Sequence, residues 1–195
     1  SGANADITEA NIDACADIIR NAGILLMQLE IPMPAVLRAA AIAHDAGVPV
    51  VLNPAPAAVL PEELLKCTSI IVPNETEAAW LTGTDIKDTQ SAAEAARILK
   101  AEGAGSVIIT MGSKGALVYD DDAVIIPARK VEAVDTTAAG DTFCGALCVA
   151  LAEGKTLHEA ALFATAASSL AVQKPGAQDS IPSRDETDAV LNERQ

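Results

Sequence analysis

The segment "SIIVPNETEAAWL" (69–81) contains a complete transition from strand to helix. It begins with a short apolar run, rich in isoleucine and valine, which predicts a buried strand. Asn74 then precedes Glu77 by three residues, the spacing of a capping box, in which each of the two side chains accepts a backbone N–H at the start of a helix. We therefore predict a helix that begins after Asn74 and runs through Leu81.

The same alternation continues on both sides of this segment. Three more apolar runs are predicted as strands: "GILLMQL" (23–29), "VPVVLN" (48–53) and "SVIIT" (106–110). Pro34 begins a helix that Gly47 ends, and Ser91 with Glu94 has the capping-box spacing at the start of a further helix. Because four apolar strands alternate with helices, we predict a three-layer α/β fold, with helices on both faces of a parallel sheet.

The pattern changes in the second half of the chain. Three short apolar runs separated by turn residues predict antiparallel hairpins at the sheet edge: 115–120, 123–127 and 130–134. Helices are predicted near 140–152 and 157–173, and Thr156 with Glu159 forms the cap of the second. A loop and a short closing helix follow.

The composition limits the classes of protein. The 195 residues are half apolar, enough for the core of one domain. The net charge of −14 argues against nucleic acid or an anionic membrane as a partner, so a small anionic ligand would need a local site that works against this field. The sequence shows no secretory signal and no apolar run of ~20 residues, and we expect a soluble cytoplasmic protein.

The histidines and cysteines do not have the spacing of a metal site. The chain has four cysteines, Cys15, Cys67, Cys144 and Cys148, and none forms a C-x-x-C pair. Cys144 and Cys148 lie four residues apart on a predicted helix, where buried thiols are favoured over a zinc site. His44 and His158, in or at the start of predicted helices, are interpreted as structural.

The segment "DTTAAGDTF" (135–143) is a candidate functional site. Small residues before a helix let a ligand approach the backbone, and the N-terminal amides of the helix can hold a phosphate or the charge on a phosphoryl group in transfer. Asp141 could then act as a general base toward an attacking hydroxyl. Asp is also common in the first turn of a helix, so a purely structural cap remains an equal alternative.

In a second segment, "TMGSKG" (110–115), the predicted strand is followed by G-S-K-G. It fits a nucleotide loop or a simple hairpin turn, because it lacks the G-x-x-x-x-G-K-[ST] of a P-loop. The chain also lacks the G-x-G-x-x-G fingerprint of nicotinamide-dependent oxidoreductases, which disfavours that class.

Several motifs resemble those of the ribokinase-like (pfkB) carbohydrate kinases. "DTTAAGDTFCGAL" is similar to their C-terminal signature, "PNETEA" to their N-x-x-E motif and "TMGSKGAL" to their nucleotide loop. "LLMQLEIP", "LNPAPA" and "KPGAQDSIP" resemble the ribose-phosphorylating members. The likeness extends along essentially the whole chain, with Cys148 as a small departure. It implies a ribokinase-like α/β/α fold and ATP-dependent phosphorylation of D-ribose at the 5-hydroxyl.

The resemblance also implies site residues. Asp141 would be the catalytic base and would contact the sugar, and Glu30 would bind sugar hydroxyls. The anion hole would be formed by Ala138, Ala139 and Gly140. The ATP site would comprise Asn74, Thr110, Met111, Gly112, Ser113, Lys114, Gly115, Gly140, Asp141 and Thr165.

Two cations are implied by the same resemblance. Mg²⁺ would accompany ATP and be organised through water by Glu77. K⁺ would act as an activator, held mostly by backbone carbonyls. The residues of the K⁺ site would be Asp135, Thr137, Ala171, Lys174, Gly176 and Ser180.

The likeness further implies that residues 1–195 are the C-terminal, nucleotide-binding part of a single domain. The first strands and the β-lid of the family would be missing, so we expect little or no turnover by the chain alone, and self-association, for example as a homodimer. Two alternatives remain: a non-catalytic fragment that binds nucleotide or itself, and a kinase for fructose, a deoxy-keto sugar acid or a nucleoside.

Overall fold

A computed structural model of the chain describes residues 2–193, which divide into two compact units. The first unit comprises the described residues up to 109 together with 119–123, and the second comprises 110–118 and the described residues from 124 onward. The helices are α1 (Glu9–Ala14), α2 (Ala16–Arg20), α3 (Met33–Asp45), α4 (Glu62–Cys67), α5 (Glu75–Thr82), α6 (Thr89–Ala101), α7 (Ala139–Ala152), α8 (Leu157–Ala171) and α9 (Arg184–Asn192). The strands are β1 (Leu25–Met27), β2 (Val50–Leu52), β3 (Ile70–Ile71), β4 (Ser106–Thr110), β5 (Ala116–Tyr119) and β6 (Ala123–Ile126).

The first unit contains a parallel sheet in the strand order β1-β2-β3-β4. Parallel pairing sets Leu25 opposite Val50, and Ile71 opposite both Leu52 and Val107. All three residues of β2 are fully buried, as expected for a parallel strand covered on both faces. The predicted α/β fold with a parallel sheet is therefore confirmed, although the first three strands are shorter than the apolar runs suggested.

Helix α3 packs through small side chains. Pro34 lies in its first turn, where a missing N–H costs nothing, and Gly47 follows its end with a φ of 72°. Ala43 of α3 is fully buried in a cluster that includes Ala16 and Ile19 of α2. Small alanine side chains on the buried face allow two helices to pack closely.

The starts of α5 and α6 test the predicted caps. Asn74 and Glu77 form the predicted capping box at α5, with two reciprocal bonds of 2.8 Å. The predicted cap of α6 was wrong. Asp88 is the N-cap and Ser91 is the third helical residue, so the helix begins at Thr89. The stronger cap lay three residues upstream of the one inferred, and Glu94 instead forms an ion pair with Arg97.

A short strap within the first unit joins residues distant in sequence. The Asp120 side chain accepts a hydrogen bond from Ser106 Oγ at 2.9 Å and pairs with Lys100 Nζ at 3.1 Å. The strap therefore connects the end of α6 and the start of β4 to residues 119–123.

The second unit is built on α7 and α8, which pack side by side. Thr156 and Glu159 form the predicted capping box of α8, and Ser183 with Glu186 caps the closing helix α9. Arg184 fixes α9 in place: its guanidinium forms two bonds to Glu153, of 2.6 and 2.9 Å. The same guanidinium lies over the Phe163 ring, 4.8 Å from its centroid.

Two of the three predicted edge strands exist. β5 and β6 are neighbours, but residues 130–134 are not a strand, so that prediction was wrong. Instead Val134 N–H donates to the carbonyl of Val172, just beyond α8, at 2.7 Å. Val134 itself is exposed, so the apolar alternation of this segment marks neither a ladder nor a buried face.

The described residues bear on the expectations for membrane-spanning helices and for cysteines. In 2–193 no helix combines the length and the apolar character needed to cross a membrane. The cysteines are thiols rather than disulfides, with Cys144 and Cys148 buried in α7.

Candidate functional site

A cavity of about 480 Å³ lies within the second unit. Four segments line it: the turn after β4, residues 128–133, the start of α7 and one face of α8. Of the residues singled out from the sequence, those in its wall are Thr110, Gly112, Ser113, Gly115, Ala139, Gly140 and Thr165. Within the described part of the chain, its wall does not include Met111, Lys114, Ala138 or Asp141.

The start of α7 forms one side of the cavity. Ala138, the N-cap, adopts the left-handed conformation with φ 57° and ψ 13°, and it provides no side-chain cap. Among the described residues it is the only non-glycine with positive φ, a conformation that costs an L-residue roughly 1–2 kcal/mol. Ala139 and Gly140 follow it in the cavity wall, where the N-terminal amides and the helix dipole favour an anion.

The turn after β4 approaches other backbone very closely. Met111 N–H donates to the carbonyl of Gly115 at 2.8 Å, which closes the turn. Gly115 has φ 101°, and a Cβ placed on it would lie 1.9 Å from the carbonyl oxygen of Ile126. Only glycine fits there. The Met111 side chain is buried, which agrees with its absence from the described part of the cavity wall.

One face of α8 forms a further wall. Thr165, Ser168, Ser169 and Val172 line the cavity. The last three follow Thr165 by three, four and seven residues, the spacing of one helical face, so the sequence rule could have found them once Thr165 was chosen. Ser168 Oγ donates to the carbonyl of Ala139 at 2.9 Å and so holds α8 against the start of α7.

The fourth wall comes from residues 128–133 and was missed by the sequence analysis, which interpreted 130–134 as a strand. It brings two cations, Arg129 and Lys130, to the cavity. Arg129 is held by α9: its guanidinium donates to Glu193 at 2.6 Å and to the carbonyl of Val190 at 3.4 Å.

Asp141 is the third residue of α7 and is exposed. Its carboxylate therefore lies in the first turn, where the helix dipole stabilises negative charge. The next residue, Thr142, is buried, and its hydroxyl has no hydrogen-bond partner among the described residues. A buried hydroxyl without a hydrogen-bond partner is uncommon. Here it places an unsatisfied polar group in the buried part of the first turn of α7.

Asp135 organises the loop that precedes α7. One carboxylate oxygen accepts the N–H of Thr137 and the other accepts the N–H of Gly176, both at 2.9 Å. Hydrogen bonds from the side chain and backbone of Thr137, and then from the backbone of Gly176, lower the pKa of Asp135 to about 2. The carboxylate thus joins two loops that are 41 residues apart in sequence.

The other residues of the predicted K⁺ site lie in or beside the second of these loops. Ala171 and Ser180 are fully buried, and the Ala171 carbonyl accepts the Lys174 N–H at 3.1 Å. Lys174 Nζ pairs with Glu186 at 3.0 Å, so only the backbone oxygen of Lys174 could serve a cation. Carbonyl oxygens such as those of these two joined loops are hard donors, the type of ligand that the predicted cation would need.

Three of the implied residues belong to the first unit. Glu30 is exposed in the turn after β1. Glu77 is half-buried, and burial raises its pKa although hydrogen bonds from Asn74 oppose the shift. The capping box uses Asn74 Oδ1 and the Glu77 carboxylate, so both residues have a structural role whatever else they bind.

Residues 2–193 contain no cluster of three or more His, Cys, Asp or Glu side chains that could hold a metal ion. Mg²⁺ commonly keeps several waters and binds through one or two carboxylates together with substrate phosphates. A single carboxylate such as Glu77 fits that mode.

An α/β unit with a parallel sheet, together with a cavity at an uncapped helix start, is compatible with a phosphoryl-transfer protein. The chain belongs to the pfkB family of carbohydrate kinases, because the profile described as "pfkB family carbohydrate kinase" matches residues 1–184. The family expected from the sequence motifs is therefore confirmed.

Named relatives agree with this family. Ribokinase of Haemophilus influenzae is 48% identical over 188 residues, which cover 96% of this chain and 61% of that protein. The bifunctional ribokinase/ribose-5-phosphate isomerase A of Fructilactobacillus sanfranciscensis is 47% identical over 196 residues, covering 100% of this chain and 36% of that protein. A solved structure of Arabidopsis thaliana ribokinase complexed with ribose and ATP has a TM-score of 0.88 and 38% identity, covering 92% of this chain and 59% of that one. The chain spans less than two thirds of the length of each of these proteins.

Proposed function

We propose that this chain is the C-terminal, nucleotide-binding part of a kinase that transfers the γ-phosphoryl group of ATP to the 5-hydroxyl of D-ribose. The observation that carries the proposal is the start of α7, where Ala139 and Gly140 line a cavity and no side chain caps the helix. D-ribose is proposed because the three relatives described above bear the name ribokinase.

The start of α7 supplies charge stabilisation. In phosphoryl transfer the negative charge spreads over the equatorial oxygens of the transferred group, so fixed donors aimed at them lower the barrier. The backbone amide of Gly140, after the left-handed Ala138, is proposed to be one of those donors, whereas the Ala139 N–H already donates to the Thr136 carbonyl at 3.2 Å.

Asp141 is proposed to be the general base. Its carboxylate accepts the proton of the 5-hydroxyl, while that oxygen forms a bond to the γ-phosphorus and ADP leaves with the electrons of the broken P–O bond. Its exposure leaves it accessible to an incoming substrate. Within the second unit, Thr110, Thr165 and the turn 112–115 are proposed to bind ATP. For the first unit, the family likeness supports the proposals that Asn74 has a role in nucleotide binding and that Glu30 binds sugar hydroxyls.

The two cations support these residues. Mg²⁺ bound to the phosphates would neutralise charge that develops on the β- and γ-oxygens. Glu77 is proposed to orient waters of that ion. Asp135 is proposed to hold the loop ahead of α7 in the shape that a bound K⁺ would stabilise further, because it already joins Thr137 to Gly176.

Self-association is proposed as a further property. β1 is the edge strand of the first unit's sheet and exposes 38% of Leu26, and an edge of this kind is a template for pairing. Because ATP is the proposed phosphoryl donor, the cytoplasm is the proposed location.

The test is a pair of measurements. Calorimetric titration with a non-hydrolysable ATP analogue and Mg²⁺ measures nucleotide binding by the chain, and a coupled assay measures ADP release with D-ribose, fructose and a nucleoside in a protein that carries this chain. We expect binding, and turnover that is fastest with D-ribose in K⁺ buffer. Absence of binding at millimolar nucleotide would refute the nucleotide site, and faster turnover of another acceptor would refute ribose.

A further inference from the structure

The charges in the cavity wall oppose the charge of the chain as a whole. The sequence has 27 acidic residues and 13 lysines and arginines. The described residues of the cavity wall nevertheless include two cations, Arg129 and Lys130, and no acidic side chain. A local reversal of sign on a strongly acidic protein is the arrangement that a small anion requires, because the overall field repels it.

Arg129 is held in the wall rather than left to move. Its side chain is one-third exposed. Among the residues that the structure describes, the guanidinium contacts the Glu193 carboxylate and the Val190 carbonyl, both at the end of α9. A guanidinium carries five N–H donors, more than these two contacts need.

The size of the cavity sets the range over which these charges act. A volume of about 480 Å³ corresponds to a space roughly 10 Å across, about one Debye length at 0.1 M salt. An anion anywhere in this space therefore interacts with both cations without full screening.

We propose that Arg129 and Lys130 form a cationic wall that attracts and holds the polyphosphate of the nucleotide, with Arg129 fixed in place by α9. This inference rests on the proposed function for the identity of the nucleotide and assigns to the same cavity two binding residues that no sequence motif indicated. The amides at the start of α7 contribute oriented hydrogen-bond donors, and the two side chains contribute positive charge.

The experiment compares ligands that differ only in charge. Dissociation constants for an ATP analogue and for adenosine are measured in the unaltered chain and in the variants Arg129→Gln, Lys130→Gln and Lys155→Gln. Lys155 follows α7 and lies outside the cavity wall, so its variant is the matched control for loss of one positive charge in the same unit.

We expect each cavity variant to weaken binding of the ATP analogue by about three- to tenfold, with less effect at high salt, and to leave adenosine binding unchanged. The Lys155 variant should change neither. Equal losses for the analogue and for adenosine would show that the residues shape the cavity without contributing charge, and would overturn the inference.

Glu193→Gln separates charge from support. The amide keeps an acceptor for Arg129 and removes a negative charge beside it, so affinity for the analogue should rise slightly. A loss as large as that of Arg129→Gln would mean that the pair is only a structural link, against the inference. Melting temperatures without ligand identify any variant that fails to fold, and Lys130→Gln, which removes an exposed side chain, guards against that outcome.

Inorganic tripolyphosphate distinguishes the inference from the proposed function. If neither the analogue nor adenosine binds the unaltered chain, the proposed function fails. The cationic wall is then judged by tripolyphosphate alone: binding that is weakened in both cavity variants supports it, and no binding, or binding unaffected by them, refutes it.

Discussion

Helices α7 and α8 follow one another and pack together, yet they begin in opposite ways. At α8, Thr156 and Glu159 form a capping box that uses the first free amides of the helix. At α7, Ala138 offers no side chain and takes a left-handed conformation instead. The start of α8 is therefore stabilised by side-chain caps, whereas the start of α7 has no side-chain cap and contains a residue in a strained conformation.

The largest expected difference concerns the third residue of each helix, Asp141 in α7 and Glu159 in α8. Asp141→Asn should lower kcat by about 10²–10⁴-fold, because it removes a general base while keeping the size of the side chain. Nucleotide affinity should change by only a few-fold. Steady-state kinetics and titration of a protein that carries this chain measure both.

The matched control is Glu159→Gln at the same position of α8. It keeps acceptors for Thr156 and should leave kcat within about twofold, since no proton-transfer role is lost. If Asp141→Asn affected kcat no more than this control, Asp141 would be a helix cap and the contrast between the two helices would disappear.

Removal of the α8 cap should change the free energy of unfolding more than a substitution at the start of α7. Thr156→Ala should lower the free energy of unfolding by about 1 kcal/mol, because the N–H of Glu159 loses its acceptor. Denaturant unfolding measures this value, and Thr156→Ser, which keeps the hydroxyl, should recover most of it. An unchanged midpoint in the alanine variant would show that tertiary packing alone fixes the start of α8.

At the start of α7 a substitution should stabilise the protein rather than destabilise it. Ala138→Gly should raise the free energy of unfolding by about 0.5 kcal/mol, because relief of the left-handed conformation exceeds the added entropy of the unfolded chain. Ala138→Val should destabilise, since a β-branched residue fits that conformation worse. Destabilisation by glycine would show that Ala138 carries no strain.

The smallest effect should come from Asp135, which supports the loop before α7 as Thr156 supports α8. Its pKa of about 2 lies below the ordinary value of 3.8, so its stabilising contribution is complete above about pH 4 and is lost as the pH falls toward 2. Between these pH values the unaltered chain should lose more stability than Asp135→Asn, by a small margin, in thermal unfolding.

Asp122→Asn is the control for that measurement, because it removes an exposed carboxylate from the first unit. It should lose stability with falling pH as the unaltered chain does. Parallel pH profiles for the unaltered chain and Asp135→Asn would remove Asp135 as the source of the difference.

Local signals predicted the elements that depend on local physics. β4 matched its predicted range, residue for residue. Its apolar residues form one short run whose ends are set by turn residues. The caps of α5 and α8 were also confirmed, since a capping box involves only neighbouring residues. At α6 the prediction used Ser91 with Glu94, whereas the cap is Asp88, three residues upstream of Ser91.

The site was less predictable than the fold because its walls come from segments far apart in the chain. Sequence motifs indicated the start of α7 and the turn after β4, and the family resemblance added Thr165. They did not indicate Arg129, which reaches the cavity because its segment does not pair as a strand and α9 holds its guanidinium. Contacts of this kind depend on packing that no short motif encodes.

The Asp120 strap has a consequence for dissecting the molecule. Residues 119–123 belong with the first unit although the chain enters the second unit at 110. Cutting after Ile109 would therefore remove the partner of Lys100 and Ser106 and leave both without the Asp120 carboxylate. An isolated first unit would need those residues restored through a linker, and the boundary between the units should be drawn from contacts rather than from a single cut in the sequence.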